Sequence, residues 1–338
     1  MSCGQIALDQ LDIPVETYYA SEIDKYAIQV TQANYPNTVQ VGDVTNLDPK
    51  DFADVDLIMG GSPCQGFSFA GKQLAFDDPR SALFFEFIRL LKAIKPRYFL
   101  LENVRMKKEF LDIISQEVSK CYPEIAFGIE PILINSSLLS AQSRQRYYWT
   151  NIPNIQQPED RGIVLRDILE DDYESERDKS YCIDANYFKG ASVEQYKKKS
   201  RRQLVNKPKQ VGMASDIKGH DILRRVYSPE GKSPTLNSMG GGNREPKVAI
   251  NNLPDKSQTI KSQYYKSSRA NFERQGTFHA TGVQQEDLTW RKLTPLECER
   301  LQTVPDNYTN HVSNTQRYKM LGNGWTVEVI KHILKNVL

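Results

Sequence analysis

A thiol on a stiff loop, a carboxylate closing an apolar run and a pair of spaced arginines are the residues of this chain best suited to chemistry. Gly60-Gly61-Ser62-Pro63-Cys64-Gln65 follows the apolar stretch Val55–Met59. Glycines permit close backbone approach, and proline stiffens the turn. A thiol presented this way is a candidate nucleophile if its thiolate is accessible; a cysteine elsewhere is commonly a small buried apolar residue. A second apolar run, Tyr98–Leu101, ends in Glu102-Asn103-Val104. If the two runs are adjacent strands, Glu102 lies near the Cys64 loop and is placed to act as an acid; the plainer reading is an exposed residue opening a loop. Gln142-Ser143-Arg144-Gln145-Arg146 precedes Tyr147-Tyr148-Trp149. In a strand Gln142, Arg144 and Arg146 share one face, which suits a carboxylate or phosphate and equally describes a basic edge strand.

These groups need a frame. Ser2-Cys3-Gly4-Gln5 fits a capping box and predicts a helix carrying Ile6, Ala7, Leu8 and Leu11. Thr17–Ser21 and Val39–Val41 read as strands, and Ile23–Asn34 as a helix with Ile23, Ala27, Ile28 and Val30 inward. The apolar spacing over Ala82–Ile94 is helical, and another helix is expected near Phe110–Cys121. Such strand–helix alternation predicts an α/β fold with a doubly wound, mostly parallel sheet, which binds ligands at the carboxyl ends of its strands. From about 160 to 290 the alternation stops. That stretch is polar and turn-rich, holding KKKSRR at Lys197–Arg202 and GGGN at Gly240–Asn243, and it predicts a smaller irregular or β module. Helices are expected again at Pro295–Leu301 and Thr326–Val337. The domain expectation is therefore 1–160, then a module at 161–289, then a return to the first domain at 290–338.

Taken together, Pro63-Cys64-Gln65, Glu102-Asn103-Val104 and Gln142–Arg146, in this order, resemble the cytosine-5 DNA methyltransferase family. Ala20–Asp24, Gly42-Asp43-Val44, Arg80–Leu83, Arg291–Leu301 and Leu321–Val327 resemble further motifs of that family. The RSALFFEFIRLL stretch and the Gly-x-x-Trp ending are also similar to its de novo branch, although Gln65 stands where that branch has Asn. The resemblance implies a Rossmann-like, class I S-adenosyl-L-methionine-dependent methyltransferase and a target-recognition domain at 161–289. It implies Cys64, Glu102, Arg144 and Arg146 as catalytic residues. For the cofactor it implies Cys3, Gly4, Glu22, Ile23, Asp43, Val44, Gly60, Pro63, Leu83, Asn323, Trp325 and Val327. For duplex DNA it implies Ser62, Pro63, Gln65, Asn103, Gln142, Thr235 and Gly241, with Lys197 and Arg201 on the backbone. The implied reaction is addition of Cys64 to cytosine carbon 6 after base flipping, with methylation at carbon 5. Two rivals stand beside it: a tRNA cytosine-5 methyltransferase, and a catalytically inert DNA-binding homologue. The second is suggested because Met1-Ser2-Cys3-Gly4 falls inside the family's first motif, whose strand is then expected to be missing and cofactor binding weakened.

Composition bounds these readings. The chain has 338 residues, 39% hydrophobic and 25% charged, with net charge +2. No run of about 18 apolar residues predicts a membrane span. Five scattered cysteines without a CxxC pair argue against a disulfide framework or a structural metal, and for a reducing, cytoplasmic setting. The charge is uneven: residues 177–275 carry net +12 and the remainder −10. A basic segment set in an acidic body suits a polyanionic partner. Monomeric action is the expectation, with no metal and no membrane contact.

Overall fold

The computed structural model describes residues 1–61, 82–170, 175, 177–190, 192–206, 210–213, 225–227, 247–248 and 290–337. Ser62, Pro63, Cys64, Gln65, Thr235 and Gly241 lie outside them. In chain order the elements are α1 (Cys3–Asp9), β1 (Tyr19–Ala20), α2 (Lys25–Asn34), β2 (Val39–Gln40), β3 (Leu57–Gly61), α3 (Ala82–Ile94), β4 (Tyr98–Val104), α4 (Lys108–Ser119), β5 (Ile132–Asn135) and β6 (Gln145–Thr150). They continue with α5 (Val193–Lys199), β7 (Leu204–Asn206), β8 (Gln210–Met213), β9 (Arg225–Tyr227), β10 (Lys247–Val248), β11 (Trp290–Lys292), α6 (Pro295–Leu301), α7 (Asn314–Asn323) and α8 (Val327–Leu334).

Two compact units emerge. One comprises 1–170, 175–205 and 291–338, the other 171–174 and 206–290. Residues 175–205 sit within the span expected for the smaller module, yet they pack with the first unit. Their fastenings explain it: Ile183 N–H donates to Gln142, and the Tyr187 hydroxyl accepts from Leu293 N–H. In the second unit β8 and β9 pair antiparallel through a bulge, and β9 and β10 pair parallel.

In the first unit β1 and β2 form a parallel pair, separate from a four-stranded sheet of order β3-β4-β6-β5. β3 and β4 are parallel, whereas β4–β6 and β5–β6 are antiparallel. The sheet is therefore mixed, because β6 returns beside β4 in the opposite sense. Helices cover both faces. Phe99, Leu101 and Trp149 meet Phe84, Phe87 and Leu91 of α3 and Ile114 and Val118 of α4. Leu100, Ile134 and Tyr148 meet Ile6 and Ala7 of α1 and Val329, Ile330 and Ile333 of α8. The alternation follows from the two-residue strand repeat, and it puts Glu102 on the α1/α8 face. Gly60 lets α3 close in, since a Cβ there would lie 2.8 Å from the Phe87 ring.

The capping box expected at Ser2 does not form. Ser2 has φ 46° and caps nothing with its side chain; its Oγ lies 3.2 Å from Thr31 Oγ1. A true capping box starts α6, where Thr294 accepts from Glu297 N–H and Glu297 accepts in return. Ile23, expected inward, is 75% exposed, because α2 starts only at Lys25. Among the described residues no helix is long and apolar enough to cross a membrane.

Candidate active site

The site grows from the end of β4. Gly61 and Glu102 are register partners in the parallel β3–β4 pair, so the chain leading to Cys64 leaves beside the Glu102 carboxylate. On the other side Glu102 faces Tyr148 across β6. Arg146 lies two residues along the same face, the diagonal position from which a long side chain reaches across. Arg146 Nε stands 2.9 Å from Glu102 Oε1, both side chains being largely buried. Burial alone would lower the Arg146 pKa, but Glu102, with smaller contributions from Cys182 and Tyr148, raises it overall. Burial, with Glu102 adding to it, pushes the Tyr148 hydroxyl well up, so it stays protonated.

Glu102 has a second neighbour. A Cβ on Gly61 would lie 3.1 Å from Glu102 Oε2 and 3.2 Å from Trp325 Nε1. Carboxylate and indole thus close in on one point that only a glycine leaves open. Trp325 follows the turn ending α7, and its backbone N–H bonds Cys3, whose thiol burial pushes up. Asn103 is buried beside Glu102, with its Oδ1 accepting from Val104 N–H.

Arg144 and Gln142 occupy a different place from the one alternation predicts. β6 begins only at Gln145, so the two precede the strand. Arg144 is 4% exposed and both terminal nitrogens of its guanidinium are engaged: Nη1 donates to Ile183 O at 3.2 Å and Cys182 Sγ at 3.4 Å, and Nη2 to Gly322 O at 3.2 Å and Gly324 O at 3.0 Å. Gln142 is fully buried; its amide donates to Leu301 O and Gln302 and accepts from Ile183 N–H. Both fasten segments together, and Gln142 presents no surface to a duplex. No spacing rule points to three further participants. Cys182 lies 38 residues from Arg144. Gln302 donates to Leu321 O and Gly324 O and accepts from the Thr326 hydroxyl. Asp184-Ala185 touches Gly322 backbone to backbone, with a Cβ there 2.3 Å from Ala185 N.

Of the remaining expected residues, Gly4, Glu22, Ile23, Asp43 and Val44 lie in α1 or just past β1 and β2. Glu22, just past β1, is fixed by Ile23 and Asp24 N–H donating to its Oε1. Asp43, just past β2, accepts from Thr45 N–H and hydroxyl, which hold its carboxyl below the usual range. An exposed Ile23 beside a fixed carboxylate suits a nucleoside, with the apolar side chain on the base and the carboxylate on ribose hydroxyls. Gly4 admits Met59, and its missing Cβ would lie 2.5 Å from Met59 Cε. Val44 O accepts from Arg89, Leu83 is half-buried on α3, Asn323 is exposed, and Val327 is fully buried at the start of α8. Lys197 and Arg201 are exposed at and just beyond the end of α5, whose last turn is Lys197-Lys198-Lys199. Among the described residues no three His, Cys, Asp or Glu side chains group to hold a metal.

The family model described as C-5 cytosine-specific DNA methylase matches residues 2–338. Orphan methyltransferase M.SPBetaI of Bacillus phage SPbeta is 28% identical, the match covering 99% of this chain and 94% of that protein. Type II methyltransferase M.HhaI of Haemophilus parahaemolyticus is 29% identical, over 95% of this chain and 87% of its own. Among solved structures, a Spodoptera frugiperda DNMT2 mutant superposes with TM-score 0.57 at 19% identity, covering 99% of this chain and 96% of its own. S. pombe Dnmt2 gives 0.54 at 18% identity, over 99% and 94%.

Proposed function

The chain belongs to the C-5 cytosine-specific DNA methylase family, and from that premise we propose that it methylates carbon 5 of cytosine within a specific duplex DNA sequence, through base flipping and a covalent Cys64 adduct at carbon 6. The fold is that of class I S-adenosylmethionine-dependent methyltransferases, and the activity of the family is DNA (cytosine-5-)-methyltransferase. The observation carrying the detailed reading is the Arg146–Glu102 pair, buried beside Gly61. Cys64 follows Gly61 by three residues, and three residues of chain span at most about 11 Å.

A cytosine stacked in a duplex cannot be reached, so the base must leave the stack. The Cys64 thiolate adds to carbon 6 and pushes electron density toward carbon 5. Glu102 gives a proton or hydrogen bond to ring nitrogen 3, which stabilises the resulting enamine. Arg146 keeps that carboxyl in place. S-adenosyl-L-methionine, when bound, supplies the electrophilic methyl group. Glu22 and Ile23 would hold its ribose and adenine, Asp43 its adenine, and Cys3, Gly4 and Trp325 its far end. Loss of the carbon 5 proton then eliminates Cys64. Arg144 takes no proton or substrate charge in this scheme, since its two terminal nitrogens donate to backbone carbonyls and the Cys182 sulfur.

The test is a covalent trap with duplex DNA bearing 5-fluorocytosine, whose fluorine blocks the final elimination. A stable adduct is expected, and none with Cys64→Ala. An adduct only on tRNA would replace this reading with the tRNA one. Retained DNA binding with no adduct would make the chain an inert homologue.

Lys197, Lys198 and Arg201 are proposed to meet the phosphate backbone. Changing these three to Glu is expected to weaken DNA binding and to flatten the log K–log salt slope by about 0.9 per lost phosphate contact, with cofactor affinity within twofold. An unchanged slope in a salt titration would assign the run to a solvated surface.

A further inference from the structure

We propose that Arg89 is a positioning residue for the cofactor: from α3 it holds the loop behind Asp43 and so sets the remaining Asp43 carboxylate oxygen for the exocyclic amino group that marks an adenine. The inference rests on the cofactor reading given above. Asp43 accepts from the Thr45 N–H and from the Thr45 hydroxyl, both at 2.9 Å and both on Oδ1, which leaves Oδ2 to a ligand. Glu22 is built in the same way, with Ile23 and Asp24 N–H both on Oε1. The two loops are tied to each other, because Ser21 Oγ donates to Gly42 O at 2.8 Å. Two carboxylates, each anchored by one oxygen and open at the other, suit a nucleoside, which offers ribose hydroxyls and an amino group as donors.

The Asp43–Thr45 bonds shape the turn without fixing where it stands, and that falls to α3. This helix packs against the turns Val44–Asn46 and Pro49–Phe52. Arg89, half-buried on it, donates from Nη2 to Val44 O at 3.2 Å and from Nη1 to Leu47 O at 3.0 Å. Its Nε donates to Glu86 Oε2 at 2.8 Å, three residues back on the same helix, so the guanidinium plane is set before it meets the loop. The two carbonyls bracket the turn directly behind Asp43. A planar fork spans both, and a single ammonium cannot. A solvated helix residue finds water or a side chain at helical spacing; main-chain carbonyls 42 and 45 residues away are a different kind of contact. The same helix carries Leu83, so one rigid element sets two parts of the expected cofactor site.

Calorimetry on the full chain tests this with two ligands, S-adenosylhomocysteine and S-inosylhomocysteine, the second having a ring carbonyl in place of the amino group. The parent is expected to bind the adenosyl compound about a hundredfold more tightly, the order expected for a hydrogen bond to a charged group that is replaced by a facing carbonyl. Arg89→Ala should weaken the adenosyl compound about tenfold and the inosyl compound by no more than about twofold, so that discrimination falls. Arg89→Lys should lie between, at about threefold, since it keeps one of the two carbonyls. In methyl transfer to duplex DNA the cofactor KM should rise with Kd, while kcat and DNA affinity stay within about twofold. In an Asp43→Ala background Arg89→Ala should cost nothing further, because a residue acting only through that carboxylate is not additive with it. Parent-like adenosyl affinity in Arg89→Ala, equal losses for the two ligands, or the full loss repeated in the Asp43→Ala background would each overturn the proposal, as would a parent that does not discriminate between the ligands. If Arg89→Ala does not fold, Arg89→Lys decides, and equal losses or none there overturn it. A parent that binds neither compound signals failure of the functional reading, and this inference falls with it.

Discussion

Glu102→Gln is expected to lower the rate of methyl transfer by about 10²- to 10⁴-fold, the span usual for losing a positioned acid. The substitution keeps the bulk that meets Gly61 and Trp325, so the pocket retains its shape. What disappears is the proton that the neutral carboxyl offers to ring nitrogen 3 and, in the ionised form, the negative charge facing Arg146. Arg146, 2.9 Å away and with a side chain 15% exposed, is then left as a largely buried cation without its partner. That adds a stability cost of roughly 1–3 kcal/mol, at or below the usual range for breaking a buried pair because some water reaches it. Cofactor affinity should stay within a few-fold, since Glu22, Ile23 and Asp43 follow β1 and β2, a pair separate from the sheet that carries Glu102. Single-turnover transfer, cofactor calorimetry and urea unfolding separate these effects. A rate within tenfold of the parent would remove Glu102 from the chemistry.

Arg144→Ala should act in the opposite manner, on stability first. Its guanidinium satisfies three carbonyl oxygens, Ile183, Gly322 and Gly324, from a residue only 4% exposed. Removing it strands Gly322 O, at about 1–3 kcal/mol, and thins the bonding of Gly324 O and Ile183 O, which keep Gln302 and Cys182 as donors. With the lost packing of the buried side chain, a total of about 2–4 kcal/mol is expected in urea unfolding. Arg144→Lys should recover only part of this, since one ammonium cannot span the two sides that the planar fork bridges. Cofactor affinity should fall with stability, because the freed turn carries Trp325. A fully stable Arg144→Ala with a lost rate would restore Arg144 to the chemistry.

The contrast between these two residues shows where the sequence was readable. Glu102 and Arg146 could be placed because strand parity is local: a buried strand ends, and the next position on its face is known. The α3 boundaries, Ala82 to Ile94, were equally plain from a wide apolar stripe. Alternation misplaces Arg144 and Gln142, because β6 starts only at Gln145 and its parity does not extend three residues back. Their side chains turned inward to partners at 183, 301 and 322, separations that no periodicity encodes. α7 leaves no apolar stripe in the sequence for a related reason. Asn314–Asn323 is polar on average, and its inward face includes Arg317, which is paired with the buried Glu299. Buried charge solved by a distant partner looks, in sequence, like a solvated surface. The antiparallel return of β6 was hidden too, since strand direction is decided by what lies between strands.

The contact at Gly322 has a mechanical consequence. Packed interiors have low compressibility, and here two main chains meet with no side chain between them to deform. Residues 182–185 and the turn at 322–324 must therefore move as one stiff piece, pinned by Arg144 and Gln302. A push on either would be passed to the other without slack, from the run at 182–185 to the turn that carries Trp325.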